Sequence, residues 1–411
     1  MSGIRLLTAT VLAATASVLC APGTGGAQPP TSGSSCPALW ILGVQGTGQS
    51  SPQASETADT GMLGALLGPV VAAVPGLVQR TYIAYPAGFG GALGTGGGPV
   101  PYADSVAIGL AALEDTAARV AAACPSTALA AVGYSQGAQV VSQFARAVGA
   151  GDGPVAPEQV AGVALYADPD RAPGTAVFPG RPGQVSPDRA PGTAGSGVAA
   201  VQISTAPASG SGLAAGGSDY GALTGRVADI CVEGDPSCSA PDHAALLRLA
   251  AGVAAQADLR DPLTALGSLQ ALLSGVLGDA WTAVVNQDFT VGPGGVDYSP
   301  QASLAARLTA AADSHTPSPP PEEVAAASAR WGQITAVVAE DPVGQLPKLA
   351  GQLSGAWSQL LADNADTLNP AVWLRYSDAI ARHTGYAAAG QLASGVAWLI
   401  ALAHDLAGSH P

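Results

Sequence analysis

The chain has 411 residues, long enough for one large domain or for a domain carrying an insertion, with 48% apolar residues and only 11% charged ones. Its formal net charge is −14 and Lys348 is its one lysine, so it has no basic surface to track phosphates and nucleic acid is excluded as a partner. Such a weakly charged, Ala- and Gly-rich chain suits apolar or uncharged substrates.

The first 27 residues read as an export signal: Arg5, an apolar run from Leu6 to Leu19, then the small residues Gly25 and Ala27 where a signal peptidase cuts. Cleavage after Ala27 makes the protein secreted or wall-associated, with 28–35 as a linker. A lipid anchor on Cys20 is disfavoured because Leu19 stands where a small residue is required. The remaining cysteines, Cys36, Cys124, Cys231 and Cys238, are even in number, as expected of disulfides in an exported chain. Of the three pairings, the closeness of Cys231 to Cys238 favours a local staple, which leaves Cys36–Cys124 as the longer bridge.

Buried strands are predicted at 38–44 (ALWILGV), 81–87 (TYIAYPA), 126–134 (STALAAVGY) and 160–168 (VAGVALYAD), with weaker ones at 198–205 (VAAVQIST) and 226–233 (RVADICVE). The stretch 102–124 has helical spacing. This alternation predicts an α/β fold, a parallel sheet flanked by helices. The octapeptide PDRAPGTA occurs at 169–176 and again at 187–194, a local duplication within a loop. From 241 to 380 no convincing strand is visible; Ala/Leu-rich helical stretches broken by GPGG and HTPSPPPEE read as a helical insertion or lid subdomain. The uncharged stretch 387–403 is only about as long as the shortest membrane span and contains Gly, Ser and Gln, so it reads as a buried helix.

Gly133-Tyr134-Ser135-Gln136-Gly137 lies between a predicted strand and a predicted helix, the context of a nucleophile elbow. There Ser135 is the nucleophile, and the Gln136 N–H, at the helix start, is the first oxyanion donor. A serine needs a base, and the base a carboxylate, in the chain order Ser, acid, His. The acid candidate is Asp235, inside the Cys231–Cys238 loop; the competing reading of Gly234-Asp235-Pro236 is a plain turn. Two histidines compete as base. His243 follows Asp235 closely in a helix start, and His383 stands in the form His-x-x-Tyr before a terminal helix. His315, His404 and His410 read as solvated loop and terminus residues.

These residues together resemble the cutinase family of secreted serine esterases, compact α/β-hydrolases without a large lid. The resemblance covers about residues 36–238 and the C-terminal end. It implies a Ser135–His383–Asp235 triad, with His243 as the alternative base, and a second oxyanion donor at Thr47 beside Gln45 and Gln49. It also implies a core over 36–240, the insertion at 241–380, and a return to the core over 381–411 that carries the base. A helical insertion there is similar to that of phage mycolylarabinogalactan esterases, which hydrolyse lipid esters of the mycobacterial wall. The expected activity is hydrolysis of acyl esters through an acyl-enzyme. Acyl transfer, mycolyl-ester hydrolysis and an inactive wall-binding hydrolase fold are the alternatives. The expected partner is a lipid or acyl-ester substrate, with possible association to a wall or lipid surface. No metal-ligand spacing is visible, and GVQGTGQSS lacks the full dinucleotide glycine series, so no metal and no cofactor are expected. The sequence leaves the oligomeric state open.

Overall fold

A computed structural model describes residues 36–203, 208–214 and 216–409. The export signal, its cleavage point, Cys20 and His410 lie outside the described residues. In chain order the core elements are β1 (Leu39–Val44), α1 (Gly61–Ala73), β2 (Val78–Tyr82), α2 (Tyr102–Ala123), β3 (Ala128–Tyr134), α3 (Gln136–Ala150), β4 (Val160–Tyr166), α4 (Ser196–Ala199) and β5 (Val227–Ile230). After them come α5 (Ala245–Ala255), α6 (Pro262–Gln287), β6 (Phe289–Gly292), β7 (Gly295–Tyr298), α7 (Leu304–Ala312), α8 (Pro321–Glu340), α9 (Pro342–Ala362), α10 (Pro370–Leu374), α11 (Ala379–Thr384) and α12 (Ala393–Ala407).

The first five strands form one parallel sheet in the order β2-β1-β3-β4-β5. The near-continuous apolar runs of β1, β3 and β4 follow from burial on both faces, and every residue of β4 is buried, whereas the edge strand β2 carries Gln79 and Arg80 half-buried. One face is covered by α1 and α12, through Leu63, Leu66, Trp398, Leu399 and Leu402. The other is covered by α2 and α3, through Leu113, Phe144 and Val148. The uncharged stretch 387–403 is therefore a turn over 387–392 followed by the core helix α12. The chain leaves β1 toward β2 on one side and returns to β3 on the other, so the switch point of the sheet lies at the carboxyl ends of β1 and β3. In open α/β sheets that crevice is where ligands bind.

Three expectations need correction. The strand predicted at 81–87 lies earlier, at Val78–Tyr82; beyond it only Ile83 keeps a bond to the sheet, its N–H donating to the Gly43 carbonyl at 2.8 Å. Of the weak strand expected at 198–205, the described residues 198–203 are the end of α4 and the irregular segment after it, because the Asp405 carboxylate of α12 accepts the N–H groups of Gly197 and Val198 and so fixes a helix start there. And the helical stretch does contain strands: β6 and β7 pair antiparallel, with GPGG as their turn. That hairpin helps build a core private to the region, with Val285, Phe289, Val296, Ile334 and Leu349 packed together and Trp281 edge-on to Trp331 at 4.8 Å.

Both PDRAPGTA copies form the same turn, in which Thr175 and Thr193 each bond back to the carbonyl three residues earlier. Ala190 of the second copy joins the core, but only the first copy buries its charged side chains. Its Arg171 donates to the carbonyls of Gly210, Cys238, Thr175 and Ala208, and its Asp170 pairs with Arg146 at 2.7 Å.

Asp229 of β5 is buried and neither of its carboxylate oxygens has a hydrogen-bond partner among the described residues. Burial pushes its carboxyl up to about 7; Arg171 opposes the shift and Asp170 adds to it. A carboxyl raised in the folded chain holds its proton more tightly there than when unfolded. Its contribution to stability is thus full below about pH 4, the unfolded value, and is lost as pH rises through about 7. Asp229→Asn stays neutral, so between about pH 5 and about pH 8 the Tm of the parent should fall more steeply than that of the variant. Thermal melts that run parallel across this range would remove Asp229 as the cause.

Candidate active site

β3 runs apolar to its end and then turns sharply into α3. Ser135 sits at the turn with φ +54° and ψ −123°, a conformation that costs an L-residue about 1–3 kcal/mol. The flanking glycines make the turn possible. A Cβ on Gly133 would lie 2.4 Å from the Gly137 carbonyl oxygen, and one on Gly137 would lie 2.0 Å from that of Val44. The turn lifts the Ser135 hydroxyl over the carboxyl end of the sheet, while the Ser135 N–H stays bonded to the Tyr166 carbonyl of β4 at 2.8 Å.

Ser135 Oγ is 2.9 Å from His383 Nε2, and His383 Nδ1 is 2.9 and 3.1 Å from the two oxygens of Asp235. Since Nδ1 faces a carboxylate it carries the proton, which leaves Nε2 free to accept one from the serine. Asp235 is fully buried. Its loop is closed by the Cys231–Cys238 disulfide, and a second disulfide joins Cys36 to Cys124, as the spacing suggested. The structure thus brings Ser135, Asp235 and His383 together. His243 is elsewhere: largely exposed, its Nδ1 lies 3.4 Å from an Asp366 oxygen.

The Gln136 N–H opens α3 and so has no intrahelical acceptor. The Gln136 side chain is buried and donates to the Gly88 carbonyl at 2.9 Å, which pins this first residue. Thr47, just past β1, lines the same cleft as Ser135 and His383. Gln45 and Gln49 are spoken for: their carboxamide oxygens accept the Leu63 and Met62 N–H groups at 3.2 and 3.0 Å and so cap α1.

The cleft encloses about 1,210 Å³. One wall belongs to the sheet domain, with Phe89, Tyr134 and Pro236. The other is small-residue surface of the helical region: Ala251 and Ala255 on α5, and Ala306 and Ala310 on α7. His315, exposed as expected, also borders the cleft beside Asp313, which accepts from it at 2.9 Å.

Sequence reasoning missed the residues that hold His383. Tyr134 Oη donates to the His383 carbonyl at 2.6 Å and its ring stacks on the imidazole, 5.5 Å between centroids. Tyr386 Oη donates to Asp235 Oδ2 at 2.9 Å and accepts from the Val232 N–H at 3.1 Å. Arg382 ties α11 to the Glu233 carbonyl beside the acid loop. The His-x-x-Tyr spacing was the available signal for Tyr386: a histidine at the end of α11 and a tyrosine one turn on can reach the same carboxylate. Burial and the Asp235 charge push the Tyr386 phenol well up, so it remains a donor.

A family model described as Cutinase matches residues 35–247. The Carboxylesterase Culp6 homolog of Corynebacterium glutamicum is 35% identical over 140 residues, which are 34% of this chain and 44% of that protein. The chain therefore spans less than half the length of this curated relative. Among solved structures, the catalytic core domain of acetyl xylan esterase from Trichoderma reesei is 22% identical, with 58% of this chain and 99% of that one covered and a TM-score of 0.32. Lysin B from Mycobacteriophage D29 is 21% identical, with 73% and 90% covered and a TM-score of 0.33.

Tyr386→Phe removes one donor to Asp235 and keeps the ring. With the carboxylate less firmly aimed, kcat on a soluble ester should fall about tenfold, the cost of roughly one charge-assisted hydrogen bond, while KM changes less than about twofold. An equal loss in a KM effect, or no loss, would leave Tyr386 a packing residue only.

Proposed function

The chain belongs to the cutinase family, and from that premise we propose that it is an exported serine esterase that cleaves carboxylic esters of apolar acyl chains. The observation that carries the reading is the continuous hydrogen-bonded line from Ser135 through His383 to the buried Asp235. His383 takes the Ser135 proton as Oγ attacks the ester carbonyl. Asp235 steadies the imidazolium, and the oxyanion is held by the Gln136 N–H and a group at Thr47. His383 then returns the proton to the leaving alcohol. Water, deprotonated by the same imidazole, releases the acid and restores the serine. Two disulfides support an oxidising, extracytoplasmic destination.

The substrate class follows from the cleft wall. Ala251, Ala255, Ala306 and Ala310 give the cleft that holds Ser135 an apolar stretch suited to an acyl chain, while Arg248, Thr309 and His315 of the same region bring polar groups to its edge. On this reading the helical region selects the acyl group and leaves the chemistry to the sheet domain.

Ser135→Ala should lower kcat/KM on a p-nitrophenyl ester by about a thousandfold or more and abolish labelling by a fluorophosphonate, with the fold intact. His383→Ala should match it, whereas His243→Ala should keep nearly full activity. More than a tenth of parental activity in Ser135→Ala would sink the assignment. For the wall, Ala310→Phe fills part of the cleft. It should reduce turnover of long-chain esters by at least about tenfold relative to acetate esters, since overpacking costs about 1–3 kcal/mol. An unchanged long-to-short ratio would show that the acyl chain lies elsewhere.

A further inference from the structure

The helical region has an outer face that the fold leaves uncovered, and that face runs up to the mouth of the cleft. α6 is 26 residues long, and none of them before Val276 is buried. Its inward side rests Leu269 and Leu272 on the small cluster around Leu249 and Ala312. Its outward side presents Leu263, Leu266, Leu273 and Leu277, respectively 83%, 66%, 43% and 52% exposed. At 1.5 Å rise per residue, Leu263 to Leu277 makes a strip about 21 Å long. The only ionisable side chain in α6 is Asp279, which accepts the Ser318 hydroxyl at 2.7 Å.

Two contacts join the strip to the site. The Leu259 N–H donates to the Gly90 carbonyl at 2.7 Å, so the segment leading into α6 lies against the loop that follows β2. In that loop Leu93 is 89% exposed, and its neighbours Gly94 and Thr95 line the cleft. Ile380, 82% exposed, lines the cleft near His383. Apolar side chains thus stand at the mouth itself and continue along α6.

Large exposed apolar surface of this kind marks a docking site, and charge decides its occupant. The chain has a net charge of −14, α6 carries no cation, and the exposed Arg260 just before it is already paired with Asp258 at 2.6 Å, so an anionic surface would be repelled. An uncharged helix face with leucines standing among Gly267, Ser274, Gly275 and Gly278 matches the headgroup–acyl boundary of a neutral layer, where an apolar helix face buries. We infer that the outer face of α6, continued by Leu93 and Ile380, docks this protein on an uncharged or zwitterionic lipid surface, with the cleft mouth turned to that surface. The inference rests on the esterase reading only for what the docking serves.

The test separates the two. Vesicles of diether phosphatidylcholine contain no hydrolysable ester, so sedimentation with them reads binding alone. Parent and Ser135→Ala proteins should co-sediment equally, and replacing part of the lipid with diether phosphatidylglycerol should weaken binding. Leu263→Gln, Leu266→Gln and Leu277→Gln combined should weaken partition at least about tenfold, given the apolar area withdrawn from the layer. Their kcat/KM on a soluble short-chain ester should stay at the parental value, which also shows that the variant is folded. Three results would overturn the inference: no sedimentation of the parent, equal sedimentation of parent and triple variant, or a parental dimer that the same substitutions dissociate, which would make a second copy the occupant. Vesicle binding without any esterase activity would instead fail the functional reading and leave the docking intact.

Discussion

The start of α3 lies against the end of β1 so closely that no side chain fits between them, since a Cβ at Gly137 would fall within 2.0 Å of the Val44 carbonyl oxygen. That contact forces the chain to leave β3 in a tight turn, and the turn puts Ser135 into positive φ with its hydroxyl upward. It also aims the first amide groups of α3 at the space above the serine. The positions of the Ser135 hydroxyl and the Gln136 N–H are therefore consequences of one backbone approach. The strain at Ser135 is sustained by buried neighbours on every side: Val132 and Tyr134 before it, Gln136 and Ala138 after it.

His383 reaches Ser135 from 248 residues away in the sequence. Its helix, α11, is short and none of its residues is buried, so packing alone does not hold it. Polar contacts do so instead: Tyr134 holds the His383 carbonyl, Arg382 holds the Glu233 carbonyl, and Tyr386 bonds both Asp235 and the Val232 N–H. Each of these ties the return segment to the nucleophile strand or to the disulfide-closed acid loop. The helical region between acid and base is thereby anchored at both ends beside the cleft, which is why α5 and α7 supply its second wall.

Much of this was legible in the sequence, and the limits have physical causes. β1, β3 and β4 read cleanly because strands buried on both faces are continuous apolar runs, and α2 because its spacing is helical along its whole length. The serine, the acid loop and both disulfides stood out because glycines, a short Cys spacing and an even Cys count carry local meaning. The β6–β7 hairpin did not, because Phe289–Gly292 and Gly295–Tyr298 are four residues each, too short for a period to register, and GPGG looked like a helix breaker. Nor could 198–203 be read correctly, since the helical turn at its start is capped by Asp405, a partner more than 200 residues away. The choice between His243 and His383 depended on which one the fold would carry to Asp235, a question of tertiary contact that spacing alone does not answer.

Charge, scarce in this chain, is also unevenly spent. Asp168, Asp170, Arg171, Arg226, Asp229 and Asp235 are all buried in the sheet domain. Several have defined tasks: Asp170 pairs with Arg146, Arg171 collects four carbonyls around the acid loop, and Asp235 faces the imidazole. Groups placed this way fix loop positions around the site, and because they are withdrawn from the surface they contribute little to long-range repulsion at close approach. Outside, α6 and α9 carry Asp279 and Lys348 as their only ionisable groups, each of them partnered, among Leu, Trp, Val, Gln and small residues. A protein that met only soluble, charged partners would gain nothing from this distribution. The proposed docking of an esterase on an apolar layer would use both halves of it: a polar interior that holds Ser135, His383 and Asp235 in line, and an outer face that costs little to desolvate.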